Sequence, residues 1–108
     1  KIAISPAVVQ SMKRVDRKIF CPTEKPYEDA PQAIGLGQTI SAPHMHARAL
    51  QEIVQGLENS SSESLHILDV GCGSGYLTAC LGECVNTASP ILKTPGKVYG
   101  IDVFPNLI

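Results

Sequence analysis

The feature that most constrains the fold is a short apolar run that passes directly into a glycine-rich turn. Residues 65–70 read Leu-His-Ile-Leu-Asp-Val, the length and composition of a strand buried on both faces of a parallel sheet. Gly71, Gly73 and Gly75 follow, then apolar residues at helical spacing, and a second strand pattern covers residues 97–102. This order predicts a strand–helix–strand unit of an α/β fold, with parallel strands and a right-handed crossover.

The spacing of the glycines limits which cofactor the turn could hold. A strand that runs through such a turn into a helix brings free backbone N–H groups close to a ligand, as nucleotide-like cofactors require. The dinucleotide fingerprint needs a further glycine at the position of Tyr76, so nicotinamide and flavin cofactors fit poorly. No Gly-Lys-Ser/Thr follows, so a triphosphate loop is excluded as well.

Acidic residues stand at the carboxyl ends of both predicted strands. Asp69 precedes the glycines and Asp102 closes the second strand, at the edge where open α/β sheets bind ligands. Asp102 could accept hydrogen bonds from ribose hydroxyls and Asp69 could face a cationic group, which together favour S-adenosylmethionine. Two structural roles stay open: Asp69 as a carboxylate that receives turn N–H groups, and Asp102 as the N-cap of a helix beginning near Pro105.

The first half of the chain combines helical and irregular patterns. Ser5 and Pro6 predict the start of an amphipathic helix over residues 6–18. Residues 20–43 contain prolines and glycines without an apolar run long enough for a strand, and predict a long, ordered loop. Helical spacing restarts at Pro43 and ends near residues 56–59, before a polar linker at residues 60–64.

Composition narrows the class of protein. The 108 residues carry nine Lys and Arg against ten Asp and Glu, with no long run of one sign, so binding to a nucleic-acid backbone is not expected. No membrane-spanning run or secretory pattern is visible, and a cytoplasmic protein is expected. The four cysteines have no zinc-site spacing, so we expect no metal, reduced thiols, and core positions for Cys80 and Cys84.

Four segments, in order, resemble one family. Residues 35–47 (GLGQTISAPHMHA) closely resemble the signature of protein-L-isoaspartate (D-aspartate) O-methyltransferases, and residues 26–35 are similar to the segment that precedes it. Residues 68–80 look like the first cofactor motif of that family and residues 96–102 like the next one. The resemblance covers nearly the whole chain.

The resemblance implies a Rossmann-like S-adenosylmethionine-dependent methyltransferase fold with an added N-terminal helical region. Residues 1–64 would hold those helices and the substrate and cofactor loop, and residues 65–108 the first βαβ unit of one incomplete domain, truncated after its second strand. The implied reaction is methylation of the α-carboxyl of L-isoaspartyl (and D-aspartyl) residues in damaged proteins and peptides, which starts their repair. A monomer is expected.

Site residues follow from the same resemblance. Ser41 would be the catalytic residue, its hydroxyl donating to the substrate carboxylate, although a helix N-cap near Pro43 is the structural alternative. His44 is expected to be structural, because His44 and His46 are two apart and make a poor metal pair on a helix. The residues implied to bind S-adenosylmethionine, or its product S-adenosylhomocysteine, are Gln38, Thr39, Ile40, Ser41, His46, Asp69, Gly71, Gly73, Gly75, Ile101 and Asp102.

Two other functions stay open. A small-molecule methyltransferase would share the glycine turn and Asp102 but has no reason to share residues 38–47. A truncated, inactive chain would bind the cofactor or a partner without turnover. A sheet with two strands is expected to leave an edge and much apolar surface uncovered.

Overall fold

A computed structural model describes residues 4–58, 65–86 and 96–104 of the chain. Within these ranges the helices have 4 to 16 residues and the strands have 3 to 5. In chain order the elements are α1 (Pro6–Arg14), α2 (Arg17–Phe20), β1 (Gln32–Gly35), β2 (Gln38–Ile40), α3 (Pro43–Glu58), β3 (His66–Val70), α4 (Tyr76–Asn86) and β4 (Lys97–Ile101).

β3 and β4 form the parallel pair that the apolar runs predict. Ile67 lies opposite Val98, Asp69 opposite Gly100 and Val70 opposite the last residue of β4. α4 follows β3 in the chain and packs against β4, which confirms the strand–helix–strand order. Because the strands are parallel, their carboxyl ends lie together, so the glycine turn after β3 meets the residues that follow β4.

The N-terminal helix begins as predicted but ends early. Ser5 caps α1 by accepting the backbone N–H three residues later at 3.4 Å, and Pro6 is the first helical residue. The prediction of one helix over residues 6–18 is wrong, because Val15 is extended (φ −98°, ψ 108°) and a second helix starts after it. Asp16 caps α2 by accepting the N–H two residues later at 3.1 Å, and this local bond competes with continuation of α1.

The segment over residues 20–43 is ordered but is not a loop throughout. It contains an antiparallel hairpin of β1 and β2, so the prediction of no strand there is wrong. Gly35 at the end of β1, and Leu36 and Gly37 in the turn after it, have φ of 101°, 54° and 71°. The strands have only four and three residues, and backbone pairing defines them more than any apolar pattern.

The core lies where α1, α3 and α4 meet. Cys80 and Cys84 are buried there, as predicted, and the Cys84 thiol donates to the Ser11 hydroxyl at 3.2 Å. All four cysteines are free thiols. The largest fully buried side chains are those of Leu50, Leu81, Val8, Cys21, Cys80 and Ser11.

The apolar face of β3 and β4 that α4 does not cover is exposed within the described residues, so the prediction that residues 65–70 form a strand buried on both faces is wrong. This outer sheet face includes Val70 and Val103, which are 72% and 84% exposed. Its members are Leu68, Val70, Tyr99, Ile101 and Val103. The expectation of uncovered apolar surface on a two-stranded sheet is confirmed, and the helix expected near Pro105 lies outside the described residues.

None of the described helices is both long and apolar enough to cross a bilayer. The division of the chain into residues 1–64 and 65–108 stays a prediction. Helices α1 and α3, which precede residue 64, pack against α4, which follows it.

Candidate active site

The glycine turn uses backbone conformations that other residues rarely adopt. Gly71, Gly73 and Gly75 have φ of 73°, 59° and 96°, in the left-handed region where glycine carries no steric cost. The N–H groups of Gly71 and Cys72 donate to the Ile101 carbonyl at 2.8 and 3.0 Å, so the turn is tied to the end of β4. No heavy atom lies within 4 Å of a Cβ built on Gly71, so open space faces its backbone.

Asp102 links the turn to the residues after β4. Its Oδ2 accepts the N–H of Gly73 at 2.9 Å and its Oδ1 accepts the N–H of Phe104 at 3.0 Å. These bonds, that from Gly73 first, hold the pKa of the Asp102 carboxyl below its usual range. The sequence analysis left open that Asp69 receives the N–H groups of the turn. In the structure, Asp102 accepts the N–H of Gly73 instead.

Asp69 is held by a side chain that the sequence analysis missed. The hydroxyl of Thr78, on the first turn of α4, donates to Asp69 Oδ2 at 2.7 Å. This hydroxyl fixes one oxygen of the carboxylate. No sequence pattern signals this contact, because a hydroxyl in a helix does not identify a partner nine positions away.

Most of the predicted site residues line two neighbouring cavities. The first, of about 250 Å³, lies between the β2–α3 connection and the glycine turn, and includes Thr39, Ile40, Ser41, His46, Asp69, Gly71 and Gly73. The second, of about 350 Å³, is lined by Gln38, Val70, Gly71, Ile101, Asp102 and Val103. Gly71 borders both, so one elongated ligand could extend from Asp102 to Ser41.

Gly75 is the predicted residue that lines neither cavity. A Cβ built on it would lie in ordinary van der Waals contact with the Phe20 ring at 3.9 Å, so its positive φ of 96°, and not a lack of space, favours glycine there. Ser74 supports the same contact by donating its hydroxyl to the Phe20 carbonyl at 2.7 Å. A larger apolar cavity of about 700 Å³ beside α1 contains none of the predicted site residues.

His46 and His44 differ in their surroundings, as their spacing predicts. His46 is 8% exposed, and its ring lies 5.0 Å from that of Tyr76. Burial, and then the charge of Arg17, lower the pKa of His46 to about 4. His44 is on the surface, where its Nδ1 and backbone N–H contact the Asp29 carboxylate at 2.8 and 3.0 Å.

Ser41 is exposed at the wall of the first cavity, and its backbone is held by Arg17, a residue that sequence analysis did not single out. The Arg17 guanidinium donates to the Ser41 carbonyl at 2.6 Å. The Ser41 hydroxyl has no hydrogen bond among those described, and the first-turn N–H groups of Met45 and His46 donate to the Ala42 carbonyl instead. Among the described residues, no group of three His, Cys, Asp or Glu side chains could hold a metal.

The fold and site define a class of protein: an α/β protein that receives a nucleotide-like cofactor at the carboxyl ends of parallel strands, beside a glycine turn. The family model for protein-L-isoaspartate(D-aspartate) O-methyltransferase matches residues 1–108. The chain belongs to this family.

Curated relatives share the family name and are longer. A Caenorhabditis elegans protein-L-isoaspartate O-methyltransferase is 44% identical over 108 residues, which are all of this chain and 43% of that protein. Protein-L-isoaspartate O-methyltransferase 1 of Arabidopsis thaliana is 40% identical over 99% of this chain and 42% of its own length. The chain therefore spans less than half the length of these relatives.

Solved structures have the same fold. A protein-L-isoaspartate O-methyltransferase from Plasmodium falciparum, in complex with S-adenosyl-L-homocysteine, aligns with a TM-score of 0.78 and 34% identity, over 98% of this chain and 45% of that one. A second protein-L-isoaspartate O-methyltransferase aligns with a TM-score of 0.68 at 19% identity, over 96% of this chain and 31% of that one, and shows the fold alone.

Proposed function

We propose that the protein to which this chain belongs transfers a methyl group from S-adenosylmethionine to the α-carboxyl of L-isoaspartyl, and D-aspartyl, residues in damaged proteins. The observation that carries the proposal is the first cavity, in which Ser41 and His46 face Asp69 and the glycine turn. The β2–α3 connection, which belongs to the segment that resembles the family signature, and the glycine turn line the same space there. The family and the Plasmodium falciparum complex support it.

The two cavities fit the shape and charge of the cofactor. Asp102 and Ile101 would hold the ribose and adenine side in the second cavity, together with Gln38. Asp69 would bind near the cationic methionine end in the first. The open space at Gly71 between them allows close approach to the backbone, where a Cβ would otherwise stand. The cofactor supplies the activated methyl group.

The reaction requires positioning more than proton transfer. A substrate carboxylate with an ordinary pKa near 4 is ionised at pH 7, so the nucleophile needs no general base. Its oxygen must be held in line with the sulfonium methyl, roughly 3 to 3.5 Å away and out of water. The exposed hydroxyl of Ser41 would donate to that carboxylate and hold it there.

The product explains the biological role that we propose. A methylated isoaspartate closes to a succinimide, which reopens in part to normal aspartate, so methylation starts repair of spontaneous damage. The partners would be isoaspartyl-containing proteins and peptides, met by a monomer in the cytoplasm, a location in keeping with four free thiols.

The test is transfer of labelled methyl from S-adenosylmethionine by the full-length protein to an isoaspartyl peptide, with its aspartyl twin as the matched control. Selective labelling of the isoaspartyl peptide is expected. Labelling of neither peptide, with S-adenosylhomocysteine still bound, would favour an inactive cofactor-binding protein. Labelling of a small molecule but of neither peptide would assign the protein to a different methyltransferase class.

A further inference from the structure

Arg17 is a buried cation without an acidic partner among its described hydrogen bonds. It is 4% exposed and begins α2. Its three donating nitrogens contact the Pro26 carbonyl at 2.8 Å, the Ser41 carbonyl at 2.6 Å and His46 Nδ1 at 3.2 Å. A buried guanidinium costs free energy unless its donors are bound, so this arrangement of three neutral acceptors fixes the group in one orientation.

The same guanidinium touches the element that follows the glycine turn. Its central carbon lies 5.3 Å from the centre of the Tyr76 ring, within the range of a cation–π contact. Tyr76 is the first residue of α4 and is itself 3% exposed. One side chain therefore contacts the Ser41 carbonyl, His46 on α3 and the first residue of α4.

The contact with His46 determines where the imidazole proton lies. A guanidinium only donates, so Nδ1 must present its lone pair to Arg17. A neutral imidazole with a bare Nδ1 carries its proton on Nε2. Within the part of the chain that the structure describes, Arg17 from α2 and Tyr76 from α4 contact this ring, and the charge of Arg17 opposes a second proton.

We propose that Arg17 is a positioning residue for methyl transfer, which holds the Ser41 backbone in place and keeps His46 as a neutral Nε2–H donor at the first cavity. This inference rests on the proposed function. His46 would then orient an oxygen of the substrate or cofactor without adding charge to the cavity wall, where Asp69 is the one formally charged side chain among the described lining residues.

A neutral donor suits the chemistry. In methyl transfer a bond forms between the carboxylate oxygen and the methyl carbon, the carbon–sulfur bond breaks, and its electron pair passes to sulfur. The anionic carboxylate and the cationic sulfonium become a neutral ester and a neutral sulfide. A cationic imidazolium would stabilise the charged carboxylate more than the transition state in which that charge disappears, and would slow the step.

The direct test is the protonation of His46 in the full-length protein, measured by ¹⁵N NMR of histidine-labelled wild type. A bare Nδ1 and a protonated Nε2 are expected at neutral pH and down to about pH 5, given the lowered pKa of about 4. A proton on Nδ1, or an imidazolium at neutral pH, overturns the proposal. This measurement needs neither a variant nor turnover, so it stands even where the proposed function fails.

Variants test the positioning. Arg17→Lys keeps the positive charge, but a lysine ammonium cannot bind all three acceptors of the guanidinium at once. We therefore expect kcat with an isoaspartyl peptide to fall on the order of a hundredfold. The affinity for S-adenosylhomocysteine should stay within a few-fold. Unchanged kcat overturns the proposal. Arg48→Lys is the matched control, because Arg48 is exposed on α3 and contacts Glu52 at 3.3 Å.

A second pair of variants covers the case in which Arg17→Lys does not fold. His46→Gln keeps an N–H donor and an oxygen that can accept from Arg17, whereas His46→Leu keeps neither. Glutamine is expected to retain at least tenfold more kcat than leucine. Equal kcat values in two folded variants would overturn the donor role of His46.

Discussion

The carboxylate of Asp102 accepts the backbone N–H of Gly73 at 2.9 Å, so a side chain that follows β4 fixes the turn that follows β3. The turn conformation therefore depends on an acidic residue 29 positions later. A second bond, from the Phe104 N–H at 3.0 Å, keeps the carboxylate in place. A ligand that shifts the Asp102 carboxylate would therefore also change the conformation of the glycine turn.

Removing this carboxylate should weaken cofactor binding in two ways, by loss of a direct acceptor and by loss of the preformed turn. For Asp102→Ala we expect the dissociation constant of S-adenosylhomocysteine to rise tenfold to a hundredfold, on the order expected when hydrogen-bonded groups lose a charged partner. Calorimetric titration of the full-length protein measures it, with Glu52→Ala on the exposed face of α3 as control. An unchanged constant would exclude Asp102 from the cofactor site.

Ser41→Ala separates catalysis from cofactor binding. The hydroxyl has no described hydrogen bond, so its removal should leave the fold intact. We expect methyl transfer to an isoaspartyl peptide to fall about tenfold to a hundredfold, because a hydrogen bond to a charged group is lost. S-adenosylhomocysteine affinity should remain within a few-fold. Wild-type turnover in this variant would refute the assignment of Ser41.

Two glycines of the βαβ unit should respond to alanine in opposite directions. A Cβ on Gly100 would lie 2.8 Å from the Thr78 hydroxyl and 3.0 Å from the Cys72 sulfur, so Gly100→Ala must displace the group that holds Asp69. We expect a loss of about 1 to 3 kcal/mol in stability from overpacking.

The matched control is Gly82→Ala inside α4, where nothing lies within 4 Å of the added atom. There we expect a gain of about 0.5 to 1 kcal/mol, because alanine favours the helix. Thermal unfolding of both variants measures the effects, and a stabilised Gly100→Ala would contradict the packing described for β4.

The lowered pKa of His46 makes stability depend on pH. The pKa is lowered from 6.5 to about 4 in the folded chain, so between these values the unfolded chain binds the extra proton and the folded chain does not. Stability is then fully present above pH 6.5 and falls as the pH decreases through this window. The loss amounts to about 3 kcal/mol, at about 1.4 kcal/mol for each pKa unit.

Urea unfolding of the full-length protein at pH 7 and pH 5, compared with the same measurement on His46→Gln, isolates this contribution. The variant should lack the part of the pH dependence that comes from this residue. Equal slopes in the two proteins would mean that His46 titrates normally.

The sequence predicts those parts of the fold that depend on local patterns. The apolar run before Gly71 specifies a strand, though not its burial, and Ser5 with Pro6 specifies a helix start, because each signal resides in adjacent residues. The hairpin of β1 and β2 could not be predicted in this way, since its strands are short and are held by pairing with each other.

The predicted site residues come together for a similar reason, while their supporting contacts could not be foreseen. Gly71 and Asp102 meet because parallel strands bring their carboxyl ends to one edge. Arg17 and Thr78 act across 24 and nine positions of the chain, through contacts with Ser41 and Asp69. A lone charged or hydroxyl residue carries no pattern that identifies such distant partners.

The outer sheet face connects folding with ligand binding. Ile101 and Val103 of that face stand on either side of Asp102, whose carboxylate turns the opposite way, toward the glycine turn. Both side chains also line the second cavity, so a ligand bound there would cover part of this exposed apolar face and remove it from water. A ligand that binds only the folded chain in this way would also raise its stability against unfolding.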